Sequence, residues 1–555
     1  MPRPPNRTDR TAVSAPEPGD DREQVRAYHE LSKHRLDRYA PGPGQLDWAS
    51  QPDPFRRFAD CARVELALAA DRLSADFAAL HRPGIPPATP DLTSVAQLFE
   101  LALGLAAWKV AGPNRWALRC NPSSGNLHPT EGYLVCPELP GLPAGVYHYL
   151  SHDHCLERRA GVPATPQRDA AFAGNLLVGL SGIHWREAWK YGARAWRYCQ
   201  HDAGHAIAAL RYAAAALGWR VRLLTDPADD ALAALLGLDR TTDFTAAEAE
   251  SPEALLAVGP DPDAMDCAAL LTLPAGTRWQ GRANRLSVSR RDWPQIPAVS
   301  AATRKPHTAI PAEAPPALPP YAPPESPDTP AAALIRHRRS AVAFDGHTTM
   351  PAPAFFRLLD ALMPRPDQPP WDTLPWAPRI HPVLFVHRVD GLDPGLYLLP
   401  RDPTAESRLR QAVNAEFSWE RVAEAPTHLP LHRLGAGDVR AAARVLSCHQ
   451  DIAADSCFAL AMLSDFDASL ADGAYRYRWL FWEAGLLGQV LYLQAEAAGL
   501  RGTGIGCYFD DAVHQVLGLT GTVWQDLYHF TVGGPVEDTR LRTEPPYAHL
   551  GAGRL

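Results

Sequence analysis

Apolar positions along the chain recur at two spacings, and the switches between them mark the expected elements. Val64, Leu66, Leu68, Leu73 and Phe77 fall near the helical period between Cys61 and Leu80, which predicts a helix there. Ser94 to Val110 repeats that spacing and predicts a second, buried helix. Trp196 to Leu217 is a long Ala-rich helical stretch, with Gly218 as its C-terminal stop. Glu23 to Leu46 starts as a shorter helical piece and gives way to the turn-rich Tyr39-Ala-Pro-Gly-Pro-Gly. Short β-rich runs predict strands at Tyr133–Cys136, Gly145–Tyr149 and Leu255–Val258. The first residues, to about Asp21, are rich in Pro, Arg and Asp and almost free of apolar side chains, which predicts a disordered tail over 1–22.

One stretch breaks the chain in two. Between Ala301 and Pro330, ten of thirty residues are proline, which rules out helix or sheet interior and predicts an extended, semi-stiff linker. The expected organisation is a first domain over 23–300, a linker over 301–330 and a second domain over 331–555. The second part echoes the first. Gly145-Val-Tyr-His-Tyr answers Gly395-Leu-Tyr-Leu-Leu, and Asn126-Leu-His-Pro129 answers Arg379-Ile-His-Pro382. Asp202-Ala-Gly204 with its helix to Gly218 matches Glu483-Ala-Gly485 with a helix to Gly499. Ala228-Asp-Asp230 and Leu236-Gly-Leu238 then match Phe509-Asp-Asp511 and Leu517-Gly-Leu519 in the same register. A helix stop, an acidic pair and Leu-Gly-Leu at one constant offset are the mark of an internal tandem duplication.

Length and charge narrow the function classes. At 555 residues the chain is long enough for two to four domains. A net charge of -8 with no Lys/Arg cluster argues against nucleic acid as a main partner. No apolar run approaches a membrane span, and Met1-Pro-Arg-Pro-Pro-Asn-Arg has no signal-peptide core. Nine cysteines without a CxxC or a regular framework point to reduced thiols in the cytoplasm.

Four segments carry candidate chemistry. In Arg119-Cys-Asn-Pro-Ser-Ser-Gly-Asn-Leu-His-Pro, Pro122 and Gly125 shape a tight loop, while Ser123, Ser124 and Asn126 offer short donors and acceptors suited to a flat polar heterocycle. An Asx/Ser turn before an edge strand would use the same residues. In Arg336-His-Arg-Arg-Ser340, Arg338, Arg339 and Ser340 make a ready phosphate clamp, or else a solvated basic helix end. Gly502-Thr-Gly-Ile-Gly506 follows a helix and precedes a strand-like run, so it is no dinucleotide fingerprint. Lys190 and Tyr191 open Lys-Tyr-Gly-Ala-Arg-Ala-Trp-Arg-Tyr198, as a base and proton donor beside a cofactor or as an exposed helix start.

Together these segments resemble the nitroreductase family, and within it the SagB/ThcOx-type dehydrogenases. The loop is similar to the family's Pro-Ser-x-x-Asn-x-x-Pro flavin loop, and Arg338-Arg-Ser340 to its Arg-Arg-Ser opening, whose Arg and Ser hold the FMN phosphate. Gly504, Ile505 and Gly506 resemble the glycine segment that passes the flavin ring. Arg540 and Arg542 stand after Val532-Gly-Gly-Pro535, at the family's place for a second phosphate-binding cation. Lys190 and Tyr191 resemble the catalytic Lys-Tyr of the SagB type. The resemblance implies an α+β fold: two nitroreductase-like domains, each a mainly antiparallel sheet wrapped by helices, packed as an intramolecular pseudo-dimer. It implies FMN as cofactor, at a site with the clamp and glycines from one half and the Ser/Ser/Asn loop from the other.

The halves depart from the pattern in complementary ways. At the clamp position the first half has Lys33-His-Arg-Leu-Asp-Arg38, and at the glycine segment Trp219-Arg-Val-Arg-Leu-Leu-Thr225; the second half replaces the loop by Trp376-Ala-Pro-Arg379. One FMN per chain is therefore expected, with the mirror site degenerate. The expected function is dehydrogenation of an amino-acid-derived or peptide, azoline-like substrate in natural product biosynthesis, with a biosynthetic enzyme as a candidate partner. An NAD(P)H-dependent nitro, quinone or flavin reductase and a non-catalytic partner protein are the alternatives. The fused halves leave open whether the chain is monomeric or dimerises further. His201 and His205, four apart with Asp202 between, have metal spacing but no evident third ligand, so no metal is expected. His152, His154 and Cys155 read as a solvated hairpin turn, and Trp479, Phe481, Trp482 and Tyr492 as core or inter-half packing.

Overall fold

Residues whose side chains alternate between two apolar environments dominate the central strands, and the computed structural model shows what those environments are. It describes residues 20–162, 165–273, 277–311, 317–323 and 329–550; most of the expected disordered tail lies outside them. The main strands are β1 (Ala62–Glu65), β2 (Leu105–Ala111), β3 (Asn114–Arg119), β4 (Thr130–Cys136), β5 (Gly145–Leu150), β6 (Cys155–Gly161), β7 (Leu176–Gly182), β8 (Arg220–Leu223) and β9 (Ser251–Gly259). The second half adds β10 (Ile380–Val386), β11 (Gly395–Leu398), β12 (Glu420–Arg421), β13 (His432–Ala436), β14 (Phe458–Asp465), β15 (Arg501–Ile505), β16 (Trp524–Gly533) and β17 (Arg542–Glu544).

Two seven-stranded antiparallel sheets result, ordered β1-β6-β5-β4-β7-β9-β8 and β12-β13-β11-β10-β14-β16-β15. From the second strand onward the two orders correspond. On β4 and β7, Leu134, Cys136, Val178 and Leu180 face one apolar cluster, while Tyr133, Val135 and Leu177 face another. On β10 and β14, Leu384, Val386, Leu460 and Met462 join that same first cluster, and Val383, Phe385, Ala459 and Ala461 a third. Each sheet thus has a private outer core and shares one inner core with the other half. Strands buried on both faces read as continuous apolar runs rather than alternating ones.

The shared core is built around α1 (Ala195–Ala216) and α2 (Arg476–Ala497), whose bounds differ by 281 residues at each end. They cross at Gly204 and Gly485. A Cβ on Gly204 would stand 2.3 Å from Trp482 O, and one on Gly485 2.4 Å from His201 O. The contact is reciprocal, as in a two-fold interface. Trp196 stacks on its counterpart Tyr477 at 5.2 Å. His34 N donates to Asp510 and Lys305 N to the matching Asp229, at 3.0 and 2.8 Å. The structural counterpart of Lys33–Arg38 is therefore the segment around Lys305, and not Arg338–Ser340 as the sequence suggests. Lys33 is engaged by Asp511 at 2.8 Å.

Several expected elements differ. Cys61–Leu80 is not a helix: β1 pairs with β6, and the Glu100 carboxylate accepts from Ala69 N and Ala70 N, fixing a turn. The helix expected over Ser94–Val110 spans Leu92–Ala102 and then turns at Gly104 into β2. A Cβ at Gly104 would lie 2.4 Å from Glu100 O, so the break is one that only glycine accommodates. The first helix spans Asp21–Leu31, capped by Asp20. The helix Gln295–Ala302 runs across the boundary drawn at 300. Described parts of the proline-rich stretch lie against the body: Tyr321 is buried and donates to Gln494 at 3.1 Å. His154 and Cys155 are buried, not solvated. Among the described residues no helix is long and apolar enough to cross a membrane.

Candidate functional site

Three of the four segments singled out by their chemistry arrive at one place from both halves. A cavity of about 440 Å³ is lined by Pro122, Ser123, Ser124, Gly125 and Asn126 on one side, and by Arg338, Arg339, Ser340, Gly504, Ile505 and Gly506 on the other. Tyr191 lines it as well. Its size falls within the range of small-molecule sites.

The loop between β3 and β4 is shaped by Gly125 and Asn126, at φ of 60° and 59°. Ser123 Oγ accepts from His128 N at 2.8 Å, and Ser124 donates from N and Oγ to Asp202 Oδ1, both at 3.1 Å. Asn126 Nδ2 donates to Ala117 O at 2.8 Å. Across the cavity, Arg338 is buried and crosses between the halves, donating to Cys120 O and Arg119 O at 3.2 and 3.0 Å. Arg339 donates to Arg336 O and Ala106 O, at 2.6 and 3.0 Å. Ser340 Oγ meets Tyr492 OH at 2.8 Å, and that phenol accepts from Gly504 N at 2.9 Å. Gly502–Ile505 lie in the edge strand β15, paired with β16. Cβ atoms on Gly504 and Gly506 would stand 2.0 Å from Tyr528 OH and 2.1 Å from Tyr198 Cε1.

The two ends of the cavity differ in charge. Among the described residues neither Arg338 nor Arg339 has a carboxylate ion-pair partner, although Lys109 and Arg501 are close by. Burial, then Arg338, lowers Arg339 to about 10, and burial followed by Arg339 lowers Lys109. Cations that depress one another in this way are poised for an anion. At the other end burial raises Asp202 to about 7, against the hydrogen bonds from Ser123 and Ser124. Burial and then Asp202 raise Glu187, whose two oxygens have no hydrogen-bond partner in the structure. Burial, followed by Glu187, raises the Tyr191 phenol.

Three expected residues are not brought in. Lys190 is half-buried outside the lining, its ammonium 5.3 Å from the Tyr191 ring centroid. Arg540 pairs with Asp538 at 2.8 Å with 86% of its side chain exposed, and Arg542 pairs with Glu544 where β17 joins β2. Lys109 and Arg501 stand on the cavity wall instead. The sequence offered no signal for Lys109, which lies in a stretch of helical spacing. Asp202 was visible as part of the repeat and between His201 and His205, not as a partner of the Ser123/Ser124 loop. Its counterpart Glu483 likewise accepts from the backbone of the opposing loop, at Arg379 N and Ile380 N. His201 Nε2 bonds Leu527 O, and His205 bonds Tyr528 OH and Gln489.

The mirror position holds about 20 Å³, between Lys305, Asp229, Arg478, Trp479 and Trp482. Trp376, in the place of the Ser/Ser/Asn loop, stacks on Trp479 at 4.5 Å. Bulky rings and the Arg478–Asp229 ion pair at 2.8 Å occupy the space that is open on the other side.

Residues 396–534 match the model of the Nitroreductase family. A protein of Anabaena variabilis assigned as a nitroreductase superposes with a TM-score of 0.66 at 23% identity, over 92% of this chain and 99% of that one. The E. coli microcin synthetase McbBCD complex, solved with truncated pro-MccB17, covers 36% of this chain and 70% of its own at 20% identity, with a TM-score of 0.27. A protein of Ralstonia eutropha assigned as a nitroreductase covers 40% and 96% at 17% identity, with a TM-score of 0.23. No curated protein matches the sequence. The second half is therefore similar to the Nitroreductase family over residues 396–534, and the chain as a whole folds as two nitroreductase-like domains packed as an intramolecular pseudo-dimer.

Proposed function

We propose that the chain is an FMN-dependent oxidoreductase, a dehydrogenase of the SagB type that arose by tandem duplication and oxidises an amino-acid-derived or peptide, azoline-like substrate. One observation carries the reading: a single cavity takes two unneutralised guanidinium groups and a strand of glycines from one half, and a polar loop from the other. The donor set fits FMN. Arg338, Arg339 and Ser340 suit its phosphate, Ser123, Ser124 and Asn126 the polar edge of its ring, and Gly504–Gly506 a flat ring at close approach.

When bound, FMN would supply the hydride acceptor. The chain's own residues would orient substrate and manage its proton. Tyr191 faces the cavity and is the nearer of the two expected catalytic groups; Lys190 acts on it as a neighbouring positive charge. Burial raises both Asp202 and Glu187, which makes them groups able to hold or move a proton near Tyr191. Nine free thiols support a cytoplasmic setting. The filled mirror position supports one FMN per chain.

The first test is the flavin content of the purified chain, beside Arg339→Ala/Ser340→Ala and Ser123→Ala/Asn126→Ala variants. One FMN per chain, weakened by both variants, is the expected result. Two FMN would refute the single site, and none would leave the partner-protein reading. Rapid flavin bleaching by NAD(P)H without air would favour the reductase.

A further inference from the structure

Cys507 follows Gly506 on the cavity wall, and a second cysteine stands beside it. After the helix Arg440–Leu446 the chain turns through Cys448 and His449, with φ of 54° and 60°. Left-handed backbone at two successive residues with side chains persists only where the surroundings hold it. Two hydrogen bonds do so here: Phe509 N donates to Leu446 O at 2.8 Å, and Gln450 Nε2 to Cys507 O at 3.1 Å. These bonds hold the Cys448 turn against the Cys507 segment and place the two thiols beside each other, both partly exposed and free.

His34, carried in from the first half, stands beside Cys507. Its Nδ1 accepts from Ala40 N at 2.9 Å, which leaves Nε2 to bear the proton. The Cys448 bond, then His34 and Arg194, lowers Cys507 to about 5 against its burial, while Cys448 is raised by the same bond. One thiolate beside one thiol is the reactive arrangement for a dithiol. At the offset of 281 shared by the long helices, Cys507 corresponds to Asp226, so this cavity-wall thiol is not part of the repeated scaffold.

We propose that Cys448 and Cys507 are a second redox centre, a dithiol that closes to a disulfide by handing two electrons to a flavin in the adjoining cavity. The inference rests on the FMN reading above. The S–H bond of Cys448 breaks and one S–S bond forms; its proton and the two electrons go to the oxidised flavin, which is reduced. A soluble dithiol reopens the disulfide by exchange and is itself oxidised.

The test mixes the flavin-loaded chain with dithiothreitol under argon and follows the visible flavin absorbance. Cys448→Ser and Cys507→Ser are each expected to slow bleaching about tenfold or more, while Cys61→Ser, outside the lining, leaves it unchanged. In parallel, the chain treated with oxidised glutathione and digested without reduction should yield a peptide pair joined through Cys448 and Cys507. Absence of that pair overturns the proposal, as does equal bleaching in Cys507→Ser. A chain that forms the pair but holds no flavin overturns the electron transfer through the FMN reading, and the peptide distinguishes that failure from a failure of the thiol chemistry.

Discussion

Arg339 shows how one residue's environment states its role. It is a guanidinium lowered to about 10 by burial and by Arg338, bonded only to backbone carbonyls. An anion would satisfy it, and a charge-assisted hydrogen bond is worth about 1.5–3 kcal/mol. Arg339→Ala is accordingly expected to weaken FMN binding by roughly 10- to 100-fold, measured by fluorescence titration; unchanged affinity would remove it from the phosphate site. Asp202 makes the opposite case. Burial raises its pKa to about 7, well above the unfolded value near 4. Between those values the folded chain binds the extra proton, so this residue's share of stability is full at low pH and is lost as pH rises through 7. The groups facing it are Ser123 and Ser124, which favour its ionisation, and Glu187, which is itself raised by it. Asp202→Asn keeps an acceptor for Ser124 and should flatten the fall in Tm between about pH 4 and 7. An equally steep fall would show that Asp202 is not the titrating group.

At the scale of elements, the crossing of α1 and α2 decides the architecture. Gly204 and Gly485 permit a backbone approach that a methyl group would obstruct. Each Gly→Ala change should destabilise the chain by about 1–3 kcal/mol despite the better helix propensity of alanine, read by urea denaturation. Because the contact is reciprocal, the two losses should be similar. A gain in stability in either variant would contradict the close crossing. The glycines were legible in the sequence as parts of Asp-Ala-Gly and Glu-Ala-Gly, though only as a repeat. Their meaning as a contact needs the partner helix. The same holds for β15: glycine is uncommon in strands, and pairing with β16 overrides that preference.

At the scale of the molecule, both halves contribute to one inner core, so the break in the chain is not a break in packing. A protease site placed between Pro323 and Thr329 and cut in the folded protein should leave the two fragments co-eluting with their flavin. Separation of the fragments on gel filtration would show that the covalent link, and not the shared core, holds the pseudo-dimer.

What the sequence determined by itself is the local chemistry and the repetition: the shaped Ser/Ser/Asn loop, the paired arginines with Ser340, the long helices with their glycine stops, and the constant offset between halves. These are readable because they depend on residue type and on spacing within one element. Tertiary structure decided the rest. It turned Cys61–Leu80 away from helix through Glu100 and strand pairing, put Lys109 and Arg501 on the wall while leaving Arg540 and Arg542 in solvent, and matched His34 with Lys305. It also filled the mirror site with Trp376 and Trp479. Each of those outcomes depends on which surfaces meet between segments distant in the chain, and periodicity within a segment holds no record of its partner.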